Sequence, residues 1–408
     1  MRKLLLVVLL AGCAARVVPG RPAAGELLIL VAFDGFRWDY DRKAPTPALQ
    51  RLAAGGVRAE WLVPSYPTKT IPNMYTLATG LHPGHHGMIA NTILDPGTGR
   101  TFERTRRADV EDPMWWGGDP IWNVVQRTGR TAAAMFWTGS EAHVGGMPIA
   151  HTREFDDTLP GADRIDQLLA WLDLPPAERP SLLCVYLSDV DRPGHYFGPE
   201  SPQLRDAIPV IDSHLARLVA GLERRGLLAQ TNIVVVSDHG MAEVRRERTI
   251  VADDYLQPSD GTVTDINPTL GVAPSPGRED AVYATLSRAH PNLTMYRRAD
   301  TPEHWHFRDQ RRVPAVTGVA DEGWVVIRRS EAATYWQRSP VGGQHGYDPR
   351  LESMRGIFVA SGPAFRAGAR VPPFESVNVH HIVAMAMGAT PADNDGNPAV
   401  ARRVLRTR

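Results

Sequence analysis

Residues 26–35 read ELLILVAFDG, an apolar run that stops at an aspartate followed by a glycine. The same arrangement recurs in SLLCVYLSDVDRPGH (181–195) and NIVVVSDHG (232–240). Short runs rich in branched apolar residues are typical of the buried strands of a parallel sheet. The carboxyl ends of parallel strands meet at one edge, where α/β proteins place their sites. We therefore expect the polar residues that follow these runs to lie together, namely Asp34, Asp191, His195, Asp238 and His239.

A further histidine, His345 in GGQHGYD (342–348), precedes another apolar run, GIFVASG (356–362). Mixed carboxylate and imidazole ligands suit zinc or a similar divalent ion better than calcium or magnesium, which prefer oxygen ligands alone. Any one such Asp or His is as often a turn former or a helix cap. Their recurrence at the predicted sheet edge nevertheless favours a metal site, and thus a metal-dependent hydrolase.

The composition limits the partners of the chain. Its 408 residues contain 45 Lys and Arg against 45 Asp and Glu, so the formal net charge is zero. No overall field attracts nucleic acid, and we expect affinity for phosphate only at a local site. We therefore expect no specific nucleic acid binding, and we predict a monomeric state.

The N-terminus resembles a secretory signal of the bacterial lipoprotein type. Met1, Arg2 and Lys3 precede LLLVVLL, and Ala11 and Gly12 precede Cys13. A basic start, a short apolar run and small residues are the features of such signals, and the run is too short to span a bilayer. We predict export to a bacterial periplasm or envelope, with Cys13 as a candidate lipid anchor. An ordinary cleaved signal is the alternative.

Strands and helices alternate from about residue 26 to residue 244, which predicts an α/β fold with a mainly parallel sheet flanked by helices. We assign 1–22 to the signal and linker and 23–408 to one catalytic domain. A smaller inserted subdomain is predicted at about 246–338, with strands near VYATLSR (282–288) and GWVVIRR (323–329). Pro209 is expected to kink or break the helix between Ser201 and Gly226.

A candidate nucleophile lies in PSYPTKTIPN (64–73). Pro72, in what would be a first turn, and the following MYTLATG predict a helix that starts near Thr70. A hydroxyl at a helix N-terminus meets free backbone N–H groups and the positive end of the dipole, which stabilise an alkoxide and the phosphoryl group it attacks. On the sequence alone, a helix cap is the favoured explanation of Thr70.

Several ordered motifs, among them FDGFR, PTKTIPN, TGLHPGHHGMIAN, SDVDRPGHYFG, VVVSDHGM and GGQHGYD, resemble the nucleotide pyrophosphatase/phosphodiesterase family of the alkaline phosphatase superfamily. The resemblance runs from about residue 27 to about residue 365. It implies an alkaline-phosphatase-like core with two zinc ions. One ion would be bound by Asp191, His195 and His345, and the other by Asp34, Asp238 and His239.

The same resemblance implies that Thr70 is the metal-bound nucleophile and that Asn91 donates a hydrogen bond to a phosphoryl oxygen. The expected reaction is hydrolysis of a nucleotide phosphodiester or pyrophosphate through a phospho-threonine, with release of a nucleoside monophosphate. The family usually has an aromatic residue after the nucleophile, where this chain has Ile71. Phe155 is the candidate for the other wall of a nucleobase slot.

Related reactions stay open. Lipid head-group diesters, phosphomonoesters and phosphonates are alternatives on the same core. A monoesterase needs extra positive charge near the nucleophile, and the loop offers only Lys69. His85 and His86 are expected in a surface turn without a metal role.

Overall fold

The computed structural model describes residues 27–407; the predicted signal and Cys13 lie outside them. The strands, in chain order, are β1 (Leu27–Phe33), β2 (Val57–Ala59), β3 (Leu62–Val63), β4 (Thr92–Leu94), β5 (Thr101–Glu103), β6 (Ala132–Met135), β7 (His151–Arg153), β8 (Leu182–Leu187), β9 (Thr231–Val236), β10 (Ala242–Arg245), β11 (Thr249–Val251), β12 (Gly261–Ile266), β13 (Thr269–Pro274), β14 (Leu293–Arg297), β15 (Val316–Ala320), β16 (Val325–Ile327), β17 (Val341–Gln344), β18 (Phe358–Ser361), β19 (Ala369–Val371) and β20 (Phe374–Glu375).

The α-helices are α1 (Pro47–Gly55), α2 (Thr70–Thr79), α3 (Pro83–His86), α4 (Arg107–Val110), α5 (Ile121–Gln126), α6 (Gly161–Leu172), α7 (Asp191–Phe197), α8 (Pro202–Arg224), α9 (Glu279–Leu286), α10 (Ala332–Tyr335), α11 (Asn378–Ala386) and α12 (Pro398–Val404). None of the helices within 27–407 combines the length and apolar character needed to cross a membrane.

An eight-stranded sheet with the order β19-β2-β18-β9-β1-β8-β6-β7 forms the centre of the molecule. Strand β1 pairs in parallel with both β8 and β9, whereas β18 runs antiparallel to its neighbours β9 and β2. This arrangement confirms the predicted α/β class and the mainly parallel sheet.

Alternate residues of β1 face two separate cores. Leu28 and Leu30 pack on the side covered by α2, α5, α11 and α12, and Leu27 and Ile29 pack on the side covered by α1, α6 and α8. All four leucine and isoleucine side chains are fully buried. Burial on both faces explains why β1 reads as a continuous apolar run without alternation.

The chain between β10 and β17 forms a second, smaller unit around an antiparallel sheet with the order β12-β13-β15-β14. Strands β10 and β17 pair with each other, so this segment leaves and rejoins the main body at adjacent points. Its core includes Leu270, Val272 and Val316 together with Val282 and Leu286 of α9. The exact domain division given above stays a prediction.

Two sequence expectations were wrong. The stretch VYATLSR is not a strand, because α9 covers most of it; Val282 and Leu286, four residues apart, are its buried residues, and Glu279 and Asp280 favour its N-terminus. Helix α8 is also not broken at Pro209 but continues through it from Pro202 to Arg224, while the alternative of a kink at Pro209 stays a prediction. Its buried apolar residues, from Leu204 to Leu222, belong to the core that also contains α1 and α6, and this burial outweighs the one backbone hydrogen bond that proline removes. The predicted strand in GWVVIRR is present as β16.

Candidate metal centre and active site

Three carboxylates lie at the carboxyl edge of three neighbouring strands. Asp34 follows β1 directly, Asp238 lies two residues after β9, and Asp191 begins α7 just after β8. Since β1 lies between β9 and β8 in the sheet, these short connections bring the three side chains together. Asp34 and Asp238 are fully buried, and Asp191 is partly buried.

The first ligand group consists of Asp191, His195 and His345. The two histidine Nε2 atoms are 3.1 Å apart, and Asp191 carboxylate oxygens lie 3.5 Å from the Nε2 of His195 and 3.8 Å from that of His345. Each ring uses its Nδ1 to contact a backbone carbonyl, that of Gly343 for His195 and that of Thr68 for His345. Because a carbonyl only accepts, Nδ1 carries the proton in each neutral ring, and the Nε2 lone pairs face each other.

The second group consists of Asp34, Asp238 and His239. The Nε2 of His239 lies 3.4 Å from Asp34 Oδ1 and 3.2 Å from Asp238 Oδ2. Its Nδ1 contacts the Gly240 carbonyl at 2.9 Å, so Nε2 again offers a lone pair. Asp191 lies close enough to Asp34 and His239 to be shared by both groups. The predicted ligands thus converge, with Asp191 between the two groups.

This donor set fits divalent cations. Asp191 Oδ1 and Asp238 Oδ2 are buried without hydrogen-bond partners within the described residues, a costly state that a bound cation relieves. Imidazole lone pairs held in place by Nδ1–H contacts to carbonyls are the usual orientation of histidine ligands. Carboxylate oxygens with imidazole nitrogens are the ligands that zinc accepts.

Electrostatics point the same way. Burial raises the pKa of Asp34 well above its ordinary value, and the charges of Asp191 and Asp238 raise it further. Burial also lowers the pKa of His345, with His239 and His195 as additional causes. The protein alone therefore disfavours the charged carboxylates, whereas divalent cations favour ionised carboxylates and neutral imidazoles.

Thr70 is the first residue of α2, and its side chain caps nothing; the capping position belongs to Lys69. The Thr70 hydroxyl lies 3.2 Å from the Nε2 of His239 and 3.5 Å from Asp34 Oδ1. Thr70 is therefore not explained as a helix cap. Its hydroxyl is aimed at the second ligand group from the N-terminus of a helix.

The loop before Thr70 is fixed by contacts that sequence reasoning did not find. The Asn73 amide donates to the carbonyls of Ser65, Pro67 and Lys69, and its Oδ1 accepts from the Ser65 N–H. An asparagine in the first turn of a helix is a common sign of such local side-chain to backbone bonding, which was the available signal. Tyr186 donates a hydrogen bond to Asp34 Oδ2, for which the sequence of β8 gives no sign.

Lys69 turns away from the ligand groups. Its ammonium group is buried and contacts Asp265 Oδ1 at 2.7 Å and Thr269 Oγ1 at 2.7 Å. The positive charge next to Thr70 is thus already neutralised by the antiparallel unit. Asp189, which also follows β8, pairs with His214 and does not join the ligands.

A cavity of about 1120 Å³ opens above Thr70. Ile71, Asn91 and Phe155 all line it, so the structure brings the three predicted substrate residues to the same place as Thr70. Phe155 is 47% exposed and its ring lies 5.3 Å from that of Phe136. Asn91 Oδ1 is buried without a hydrogen-bond partner in the part of the chain that is described.

The two neighbouring histidines of the predicted surface turn differ. His85 is partly exposed and pairs with Asp395, whereas His86 is buried, contacting Thr76 and the ring of Tyr75. A surface position is thus wrong for His86, because its ring packs against Thr76 and Tyr75 of α2.

Comparison with known proteins gives the family. The family model described as type I phosphodiesterase / nucleotide pyrophosphatase matches residues 28–348. The chain is 34% identical over 372 residues to human ectonucleotide pyrophosphatase/phosphodiesterase family member 5, covering 91% of this chain and 76% of that protein. It is 34% identical over 394 residues to an uncharacterized pyrophosphatase/phosphodiesterase of Schizosaccharomyces pombe, covering 93% of this chain and 81% of that protein.

Solved structures agree. Murine family member 5 superposes with a TM-score of 0.87 at 32% identity, covering 93% of this chain and all of that one. An inactive threonine-to-alanine variant of the murine protein, in complex with AMP, gives a TM-score of 0.86 at 32% identity, covering 93% and 99%. These structures confirm the predicted alkaline-phosphatase-like fold. The chain belongs to the type I phosphodiesterase / nucleotide pyrophosphatase family.

Proposed function

We propose that this protein is a zinc-dependent hydrolase that cleaves phosphodiester or pyrophosphate bonds of nucleotides and releases a nucleoside monophosphate. The observation that carries the proposal is the position of the Thr70 hydroxyl at the start of α2. It lies 3.2 Å from the Nε2 of His239 and 3.5 Å from the Oδ1 of Asp34. Membership of the family and the AMP complex of an inactive relative support a nucleotide substrate.

We assign two zinc ions to the two ligand groups, one to Asp191, His195 and His345 and one to Asp34, Asp238 and His239. Paired divalent ions supply Lewis acidity, lowering the pKa of a bound hydroxyl and balancing the charge of the attacking and leaving oxygens.

The residues of the chain perform the rest of the reaction. Thr70 Oγ loses its proton to water and attacks phosphorus, the new P–Oγ bond forms, and the bond to the leaving oxygen breaks with its electron pair on that oxygen; a proton returns to Oγ in the second step. Water then attacks the phospho-threonine, breaking the P–Oγ bond and restoring the Thr70 hydroxyl. Asn91 and backbone N–H groups at the start of α2 hold the non-bridging oxygens, where charge accumulates.

A diester is favoured over a monoester as the substrate. A monoester carries an additional charged oxygen, which calls for a free cation beside the nucleophile. Lys69, next to Thr70 in the chain, is paired with Asp265 and does not supply one, and we assign Arg104, which also lines the cavity, to the leaving half of the substrate. In the cavity, Phe155 offers one face for the nucleobase, and Ile71 replaces the usual second ring with an aliphatic contact.

The test is an assay of purified protein on three substrates: a nitrophenyl nucleotide diester, bis-nitrophenyl phosphate and nitrophenyl phosphate. We expect the nucleotide diester to be hydrolysed fastest and a chelator to abolish the activity, with recovery on adding zinc. Faster turnover of the monoester than of both diesters would overturn the substrate class. A nucleotide diester no better than bis-nitrophenyl phosphate would contradict a nucleobase contact.

We further propose that the protein is a monomer that is exported, with Cys13 as a lipid anchor. Support comes from the sequence of residues 1–13 and from the ectoenzyme names of the relatives. Expression of the full chain with a Cys13→Ala control tests this. Loss of membrane attachment in the variant alone is the expected result.

A further inference from the structure

A second cavity, of about 560 Å³, adjoins the one above Thr70. The two share Asn91, Arg104, His195 and His345. The second cavity is lined mainly by polar residues from β4, the antiparallel unit and β17, namely Thr92, Asp265, Asn267, Arg328, Glu331 and Gln344. It therefore lies on the far side of the first ligand group from the aromatic rings.

The two cavities offer different chemistry. The first cavity alone is lined by Thr70 and by the rings of Phe136, Phe155 and Tyr186. In an in-line displacement the leaving oxygen departs opposite the attacking oxygen. The half of the substrate that leaves therefore departs away from Thr70, and the second cavity, which Thr70 does not line, adjoins the first through His195 and His345.

Arg104, which follows β5, lines both cavities and is exposed. Its neighbours Arg100, Arg106 and Arg107 each form an ion pair with a carboxylate. Within residues 27–407 no ion pair involves Arg104. Its guanidinium group is a fork of donors suited to phosphate oxygens, and it borders both cavities.

Asn267 adds an acceptor to the second cavity. Its Nδ2 donates to the hydroxyl of Tyr335 at 3.0 Å, while its Oδ1 is buried without a hydrogen-bond partner in the described chain. The residue has a φ of 60°, a conformation that is uncommon outside glycine and indicates that its surroundings hold it in place. A hydroxyl of a bound ligand would satisfy the free oxygen.

We propose that the second cavity binds the leaving half of the substrate, that this half carries a phosphate, and that Arg104 pairs with it. This inference rests on the proposed function. When the bridging P–O bond breaks, its electron pair stays on the departing phosphate, whose charge grows next to Arg104. The nucleoside 5′-phosphate half of a dinucleotide fits this chemistry, with hydroxyls for Asn267. An apolar chain does not fit, because it would cover buried polar groups without satisfying them.

The experiment compares two substrates with the same adenosine half: diadenosine 5′-diphosphate, whose leaving group is a phosphate, and the nitrophenyl ester of AMP, whose leaving group is not. We measure kcat and KM for the wild type, Arg104→Gln and the control Arg51→Gln, an exposed arginine on α1. In Arg104→Gln we expect the loss of kcat/KM to be at least about 10-fold larger on the diphosphate than on the ester, as for one charge-assisted hydrogen bond. Arg51→Gln should change neither substrate.

Each other outcome overturns the inference. Equal losses on both substrates would place Arg104 against the shared nucleotide half, and no loss on either would remove it from the substrate altogether. A larger loss of kcat/KM on the nitrophenyl ester than on the diphosphate would mean that Arg104 does not contact the phosphate of the leaving half. Failure of the proposed function is distinguishable, because the wild type itself would then hydrolyse neither substrate.

Discussion

Two regions of the molecule build the site in different ways. The edge of the central sheet supplies Asp34, Asp191 and Asp238 directly where β1, β8 and β9 end or just beyond. The antiparallel unit between β10 and β17 contributes from a distance, through Asp265, which pairs with a lysine 196 residues away in the chain. The chain supplies His345 only after it has left this unit.

This difference has a physical cause. A ligand at the end of a buried parallel strand is placed by the strand itself, which is part of the most extensively packed region of the fold. A contact from the antiparallel unit depends on how two separately packed cores meet, because its strands form a hydrophobic cluster of their own. We expect changes at the sheet edge to affect chemistry most, and changes at the contact between the regions to affect stability as well.

The largest effect is expected from Thr70→Ala, at the sheet-edge side of the comparison. If Thr70 is the nucleophile, as proposed, this change should lower kcat by at least about 10⁴-fold, in the range found for nucleophiles that act together with their activating groups. Bound metal should be largely retained, since the six other proposed ligands are intact. Steady-state kinetics and elemental analysis check this, with Thr70→Ser as the control that keeps a hydroxyl. Activity within 10-fold of wild type in Thr70→Ala would exclude Thr70 as the nucleophile.

A smaller but still large effect is expected when either Asp34, at the sheet edge, or His345, just after the antiparallel unit, is replaced. Substitutions of residues that merely orient ligands cost about 10- to 100-fold in metal affinity, so His345→Ala and Asp34→Ala should each lower affinity by at least about 100-fold. Zinc titration followed by metal analysis measures this. Each variant should also have a lower Tm at limiting zinc, because binding to the folded state stabilises it. If His345→Ala kept full zinc affinity, the ligand set would come from the sheet edge alone.

The contact between the regions is tested by Asp265→Asn. This change leaves the buried Lys69 ammonium without its carboxylate, and removing one partner of a buried pair costs about 3 kcal/mol. Denaturant unfolding should detect this loss, and kcat should also fall because Lys69 adjoins Thr70. In the Lys69→Met, Asp265→Asn double variant part of the stability should return.

The matched control is Asp260→Asn, next to the same small sheet, where the partner Arg278 is exposed. We expect little change there, because exposed ion pairs contribute little. Equal effects of Asp260→Asn and Asp265→Asn would show that Lys69 and Asp265 do not tie the two regions together.

The comparison of the sheet edge with the antiparallel unit also explains which features were predictable from the sequence. The parallel sheet was predictable because β1, β8 and β9 are buried on both faces and read as apolar runs. The candidate ligands were found because each stands next to a strand or a glycine turn. The position of Thr70 at a helix start also followed from Pro72, but its role as something other than a cap needed the structure or the family resemblance.

The errors lie where packing between elements decides the outcome. Val282 and Leu286 fit a helix as well as a strand in a short apolar run, and only the small core against which they pack selects the helix. The direction of Lys69 could not be read from its loop, because its partner Asp265 belongs to another unit. The buried position of His86 depends on Tyr75 and Thr76 of α2, which no local pattern places above it.

The smallest effect concerns the support beneath α2, on the sheet side of the comparison. The Nδ1 of His86 accepts the Met88 N–H, and its Nε2 lies 3.1 Å from Thr76 Oγ1. Burial lowers the pKa of His86 from 6.5 to about 3, so the folded protein keeps this ring neutral. The unfolded chain binds a proton below pH 6.5 while the folded chain does not. Stability is therefore full above pH 6.5 and falls as the pH drops from 6.5 towards 3.

At pH 5 this difference corresponds to about 2 kcal/mol, since one pKa unit is about 1.36 kcal/mol. His86→Gln should therefore flatten the fall in unfolding free energy between pH 6.5 and 5, measured by urea unfolding in excess zinc. His85→Gln is the matched control with the opposite sign: its pKa is raised by Asp395, so it adds stability at low pH that is lost as the pH rises. His85→Gln should therefore make the unfolding free energy fall slightly more steeply as the pH drops. If His86→Gln left the slope unchanged, acid sensitivity would originate outside the support of α2, and the nucleophile helix would owe its position to the sheet packing alone.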